Sequence, residues 1–220
     1  MVMILIHQEI KSNNLNQQER NNKQIFINCP FDNEYRELLR PLLFTIIFLG
    51  YSPRIASESL NSGENRIDKI CNLINITAYS IHDISRCKSL KENEYFRMNM
   101  PFELGIDFGK YKFTNPERRI LILEEHRFDY QKSISDLAGV DIKCHEGIPV
   151  NVVKCVRNWT IEAKILKVPS SPIKIWNRFT DFTLDFCEKR KEDGFSGDDL
   201  NDMPTPEYIN AIEEWVTNNK

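Results

Sequence analysis

The residues of this chain that could do chemistry gather around one glutamate. The stretch Arg97-Met98-Asn99-Met100-Pro101-Phe102-Glu103-Leu104-Gly105-Ile106-Asp107-Phe108-Gly109 reads as the opening of a helix. Pro101 suits a first helical turn, where its missing N–H is no loss. Leu104, Phe108 and Tyr111 recur at helical spacing and form one apolar face. Glu103 then falls in or beside the first turn, where the positive end of the helix dipole favours a carboxylate. Gly105 and Gly109 each cost a helix interior about 1 kcal/mol relative to Ala, which points to close approach of a neighbouring strand or a ligand. An acid so placed, flanked by Arg97 and Asn99, suits a site for a sugar or nucleotide. The plain alternative is an ordinary helix acid placed for the dipole.

Such a site needs a scaffold, and the order of apolar runs supplies one. Short strands are expected at residues 25–29, 51–56, 79–85, 119–123 and 140–144. Helical patterns fill 34–49, 66–76, the stretch opening at Pro101, 130–138 and 150–166. Pro41 interrupts the first of these and Gly50 ends it. The run Arg119-Ile120-Leu121-Ile122-Leu123 is typical of a parallel strand buried on both faces. Alternating strands and helices imply right-handed crossovers and a mostly parallel, five-stranded, flavodoxin-like doubly wound α/β sheet. Residues 1–23 are expected to form a partly flexible N-terminal segment, 24–167 the α/β domain and 168–220 a helical C-terminal extension. The aromatic stripe of that extension either packs back on the domain or offers a face to a partner.

In open α/β sheets, ligands bind beyond the carboxyl ends of the strands. Asn28, Phe31, Asp83, Ser85, Arg86, Arg97, Asn99 and Glu103 are therefore expected to converge, with Asp32 and Glu58 at the same edge. Phe31 would stack on a base and Arg86 or Arg97 would hold phosphate. Asn and Ser would bond hydroxyls, and the carboxylates would grip a ribose. Each also has a structural reading. Asn28 and Asp83 can cap turns, and an Arg97–Glu103 surface pair is worth at most about 1 kcal/mol. His82, mid-strand, is expected to face packing.

Composition bounds the rest. A length of 220 residues suffices for one sizeable core, and 41% hydrophobic with 28% charged residues is typical of a soluble globular chain. A formal charge of −3 gives no general pull toward nucleic acid or anionic membrane. The six cysteines form no C-x-x-C pair, and His126 and His145 have no partner at ligand spacing, so no metal is expected. No secretory signal and no membrane-spanning run is visible, which points to a cytoplasmic location. The phosphate loop G-x-x-x-x-G-K-[ST] and the dinucleotide fingerprint G-x-G-x-x-G are missing.

Arg97-x-Asn99-Met100-x-x-Glu103-Leu104-Gly105, followed by the apolar strand at 120–123, resembles the R-x-N-V-x-x-E-L-G signature of bacterial TIR-like nucleotide-binding proteins. It is also similar to the E-L-G-x-A helix of nucleoside 2-deoxyribosyltransferases. The resemblance implies a flavodoxin-like core with Glu103 as the catalytic carboxylate. It implies an N-glycosidase that cleaves the nicotinamide–ribose bond of NAD or a related nucleotide, within bacterial anti-phage defence. NAD would be the substrate, with no separate cofactor. A homo-oligomer or a defence-system partner, engaged through the C-terminal helices, is implied as well. Asn99-Met100-Pro101-Phe102 replaces the D-x-G-x-x-x-E form of the transferases, which favours the TIR-like side. The alternative is a non-catalytic nucleotide or ADP-ribose sensor or scaffold.

Overall fold

Strand alternation puts successive side chains on opposite faces, and the strands at 24–28, 79–83 and 119–124 carry buried residues on both faces. A sheet of that kind has to be covered on both sides. The computed structural model describes residues 21, 23–58, 63–86, 98–166 and 170–219. The flexible segment expected over 1–23 falls almost wholly outside these described residues. It contains five parallel strands: β1 (Gln24–Asn28), β2 (Ser52–Ile55), β3 (Tyr79–Asp83), β4 (Arg119–Glu124) and β5 (Lys143–Cys144). Their order is β2-β1-β3-β4-β5, that of the flavodoxin-like doubly wound class.

The helices are α1 (Arg36–Phe48), α2 (Arg66–Ile76), α3 (Asn99–Phe113), α4 (Pro149–Glu162), α5 (Pro172–Glu192), α6 (Gly197–Asn201) and α7 (Thr205–Asn218). Ile25, Ile27, Ile81, Leu121 and Leu123 face α1 and α4 in the main core. Phe26 meets Ile70, Leu73 and Ile74 of α2 on the other face, and Ile122 meets Met100 and Leu104 of α3. Gly50, at φ +89°, ends α1 in the left-handed conformation that glycine adopts without strain.

Two expected elements differ. Instead of a helix over 130–138, the chain makes two 3₁₀ turns, Asp129–Lys132 and Ser135–Leu137. The Tyr130 carbonyl still accepts the Ile134 N–H (2.7 Å), but Ser133 (φ −125°) and Ile134 (φ −132°, ψ 60°) leave helical dihedrals, so the turn is not continued. The strand expected over 140–144 shortens to Lys143–Cys144 at the sheet edge.

The tail belongs to the same core. Ile175, Phe182 and Phe186 of α5 and Tyr208, Ile209, Ile212 and Val216 of α7 pack with Leu42, Leu43 and Phe44 of α1. Phe182 stacks on Phe44 and meets Tyr208 and Trp215 edge-on, with centroids 5.6–5.7 Å apart. The aromatic stripe is thus buried against the chain's own α/β unit. No helix among the described residues is long and apolar enough to cross a membrane. Replacing Phe182, 1% exposed, by Ala is expected to cost about 3–5 kcal/mol. Because the core is shared, urea unfolding of wild type and variant should show one transition, and a separate tail transition would contradict the shared core.

Candidate functional site at the carboxyl edge of the sheet

The doubly wound order places a crevice between β1 and β3, where the chain turns to opposite sides of the sheet. Asn28 and His82 are register partners there, and both point to the α2–α3 face. Asn28 Nδ2 donates to the carbonyl of Met100 in the first turn of α3 (3.0 Å) and lies 3.0 Å from His82 Nδ1. A carbonyl only accepts, so the Asn28 amide has one orientation and His82 Nδ1 must be the acceptor. The imidazole proton therefore sits on Nε2, which donates to Asp107 Oδ2 at 2.8 Å. Arg118 closes the line, donating from Nη2 to the same oxygen (3.0 Å) and from Nη1 to the carbonyl of Thr77. His82, Asp107 and Arg118 are all 0–1% exposed.

Glu103 lies above this line. Met100, Glu103 and Asp107 are spaced i, i+3, i+7 on the inward face of α3, and all three are buried. Glu103 is 4% exposed, and its Oε1 is 3.4 Å from Nη2 of Arg66, the first residue of α2. Burial pushes its carboxyl above the ordinary glutamate value of 4.5, with Arg66 offsetting part of the rise. The helix starts at Asn99, so Glu103 falls in the second turn rather than the first. Its acidity is set by desolvation more than by the dipole, which fades within the first turn.

Asp83 is one residue beyond His82 and so faces the other side. Tyr35, just before α1, donates to Asp83 Oδ2 through its hydroxyl (2.5 Å), as does His145 Nε2 (3.0 Å). The Ser85 backbone N–H (2.9 Å) and hydroxyl donate to Oδ1. Burial alone would raise this carboxyl; bonds from His145, Ser85 and Tyr35 outweigh it, and its pKa lies below the usual aspartate value. His145 Nδ1 accepts from the Gly147 N–H (3.0 Å), in a turn where Glu146 and Gly147 both have positive φ. The carboxylate and Ser85 thus share one ring nitrogen, while a backbone amide holds the other. That is unlike a serine–histidine–aspartate triad, in which the acid orients the nitrogen facing away from serine. Asp83 instead ties three loops together.

The remaining expected residues separate in the same way. Arg86 pairs with Asp32 and Glu34, both at 2.9 Å, bridging the crevice on the α1 side. Asp32 also accepts the Tyr35 N–H (3.0 Å). A cleft of about 480 Å³ opens there, lined by Tyr35, Leu38, Ser85, Arg86, Glu125 and His126, among others. Phe31 lines a smaller cavity beside Met203 and Tyr208 of the tail. Glu58 turns back to its own strand, accepting from Arg54 Nε (2.7 Å) and the Ile55 N–H. Asn99 is exposed at the start of α3, and Arg97 lies outside the described residues. The expected single cluster is therefore two, with Asn28 and Glu103 on one face and Asp32, Asp83, Ser85 and Arg86 on the other. Strand alternation between residues 82 and 83 is the cause.

Close approach does not explain the glycines of α3. A Cβ on Gly105 or Gly109 would meet nothing within 4 Å. Cys29 is buried, and burial together with Asp83, Asp32 and Glu103 raises its thiol well above the usual value, which disfavours the reactive thiolate. No group of three or more metal-ligating side chains occurs among the described residues. Scans against protein-family models and curated protein sequences return no match to this chain.

Asp107 sets the acid stability of this site. Burial favours its neutral form, but His82 and Arg118 outweigh this and lower its pKa to about 2. A folded pKa below the unfolded value of about 3.9 means stability fully present above pH 4 and lost as pH falls toward 2, about 2–3 kcal/mol in all. Asp107→Asn should cost about 3–5 kcal/mol at neutral pH, because it leaves Arg118 buried and unpaired. It should also flatten the urea-midpoint slope between pH 4 and 2; a wild-type slope in the variant would contradict the assignment.

Proposed function

We propose that this chain binds a nucleotide at the crevice between β1 and β3 and cleaves its N-glycosidic bond with Glu103 as the catalytic carboxylate. The supporting observation is a nearly buried glutamate with a raised pKa, held at the carboxyl edge of a doubly wound sheet. Structural acids seldom sit this way, since burial makes the ionised form costly.

NAD fits the chemistry as substrate. The bond between C1′ and the pyridinium nitrogen breaks, and its electron pair neutralises that nitrogen as nicotinamide leaves. Positive charge passes to C1′ and the ring oxygen, where an adjacent carboxylate stabilises it. Water then adds its oxygen to C1′ and gives up a proton, which a carboxylate of raised pKa accepts well. Arg66 is the cation that the sequence did not point to. Its side chain is 53% exposed, which leaves guanidinium donors free to reach a phosphate while one nitrogen stays near Glu103.

Glu103→Gln should lower NAD or nucleoside cleavage at least about a hundredfold. It should also raise the melting temperature at pH 7. A carboxyl whose folded pKa is raised contributes its stability below the unfolded pKa and loses it as pH rises through the folded value, so at pH 7 the ionised group is a cost. Wild-type activity should climb on an acid limb centred above 4.5. Arg66→Ala should raise KM for NAD about tenfold and leave KM for an unphosphorylated nucleoside little changed. Equal absence of turnover in wild type and Glu103→Gln, with NAD and nucleosides and in every assembly state, would overturn the reading.

A further inference from the structure

The hydrogen-bonded line beneath Glu103 does more than fill the interior. It grips α3 at Met100, through its backbone carbonyl, and at Asp107, through its carboxylate. Glu103 lies between the two grips, three residues after one and four before the other. At 1.5 Å rise per residue the grips are about 10 Å apart along the helix axis, so together they fix both tilt and rotation of this segment. Both are held by neighbouring strand residues in one register, Asn28 and His82. Neither strand residue touches Glu103 through a hydrogen bond; against the rise from burial, His82 lowers the Glu103 pKa directly by charge, and its positional influence runs through the helix.

We propose that His82, with Asn28 and Asp107 as its two partners, is the positioning residue of Glu103, setting where the carboxyl meets a bound sugar; this rests on the role of Glu103 given above. The imidazole is suited to the task because it accepts on one nitrogen and donates on the other. It thereby joins a strand amide to a helix carboxylate at a fixed separation. Placement matters to this chemistry, since an error of about 1 Å in a reacting group can cost about a hundredfold in rate.

Two conservative variants divide the histidine's roles. His82→Gln keeps a donor for Asp107 and removes the acceptor for Asn28. His82→Asn keeps the acceptor and removes the donor. Phe182→Ala, in the tail core, serves as a control that loses stability far from α3. Assayed with NAD well below each melting temperature, both His82 variants should lose about ten- to a hundredfold in kcat with KM little changed. Phe182→Ala should keep the wild-type kcat. Combined with Glu103→Asp, His82→Gln should cost clearly less than the product of the two single losses, because both act on one carboxyl. Full multiplicative losses, or His82 variants that match the control, would overturn the proposal.

A second readout needs no turnover. With ¹³C-labelled glutamate, the Glu103 carboxyl should titrate above the ordinary range in wild type. Its midpoint should fall toward that range in both His82 variants, as α3 loosens and water reaches the carboxyl by enough to exceed the rise from losing His82's own charge effect, and stay in place in Phe182→Ala. A midpoint unchanged in both His82 variants overturns the positioning role. A wild type that cleaves neither NAD nor nucleosides overturns the enzymatic reading instead.

Discussion

A neutral imidazole held between an amide and a carboxylate decides how α3 lies on this sheet. His82 is fully buried, and both of its nitrogens are engaged. The strand side of the line comes from β1 and β3, and the helix side from Met100 and Asp107. Beyond Asp107, Arg118 carries the line to Thr77 at the opposite end of β3. Such a line is intolerant of partial loss. Removing one member leaves a buried donor, acceptor or charge without its partner, at a cost of about 1–3 kcal/mol for a polar atom and more for a charge. Apolar packing alone would let the helix slide; directional bonds at two points do not.

The sheet then divides the polar chemistry of its carboxyl edge. On the α1 side, Asp83 draws in Tyr35, Ser85 and His145, and its carboxyl is easier to ionise than usual. That group has found its partners, and its work is to hold loops. Across the sheet, Glu103 has one loose partner, and its carboxyl is harder to ionise than usual. Two acids at one rim thus carry opposite shifts. Burial is outweighed by hydrogen bonds at Asp83 and dominates at Glu103, and a perturbed acid with few partners is the better candidate for chemistry. The open cleft on the Asp83 side is rich in carboxylates, and its arginine is already paired, which suits it poorly to phosphate.

Much of this architecture was legible in the residues. The alternation of short strands with helical patterns implies the parallel sheet, and the continuous apolar run at 119–123 marks a strand buried on both faces. The position of Glu103 at the carboxyl edge follows from that order. The chain's local chemistry hid other features. The helix expected at 130–138 breaks where Ser133 and Ile134 leave helical dihedrals, a local backbone change that periodicity does not register. His145 and Tyr35 gave no sign of joining Asp83, since each lies some fifty to sixty residues away in sequence. His82 read as packing, and it is buried; its hydrogen bonds depend on Asp107 and Arg118, which only the folded chain brings beside it. The division of the rim into two clusters could have been foreseen, because neighbours on a strand cannot share a face.

Catalysis by Glu103 requires a nucleotide to lie on the α2–α3 face of the sheet. A crystal structure with a carbocyclic NAD analogue, whose ring carbon in place of oxygen blocks ionisation of the glycosidic bond, tests this most directly. C1′ of the nicotinamide riboside should lie within about 3.5 Å of a Glu103 carboxyl oxygen, with Arg66 turned toward the pyrophosphate. An analogue bound across the sheet, against Tyr35, Ser85 and Arg86 with Glu103 untouched, would contradict catalysis by Glu103.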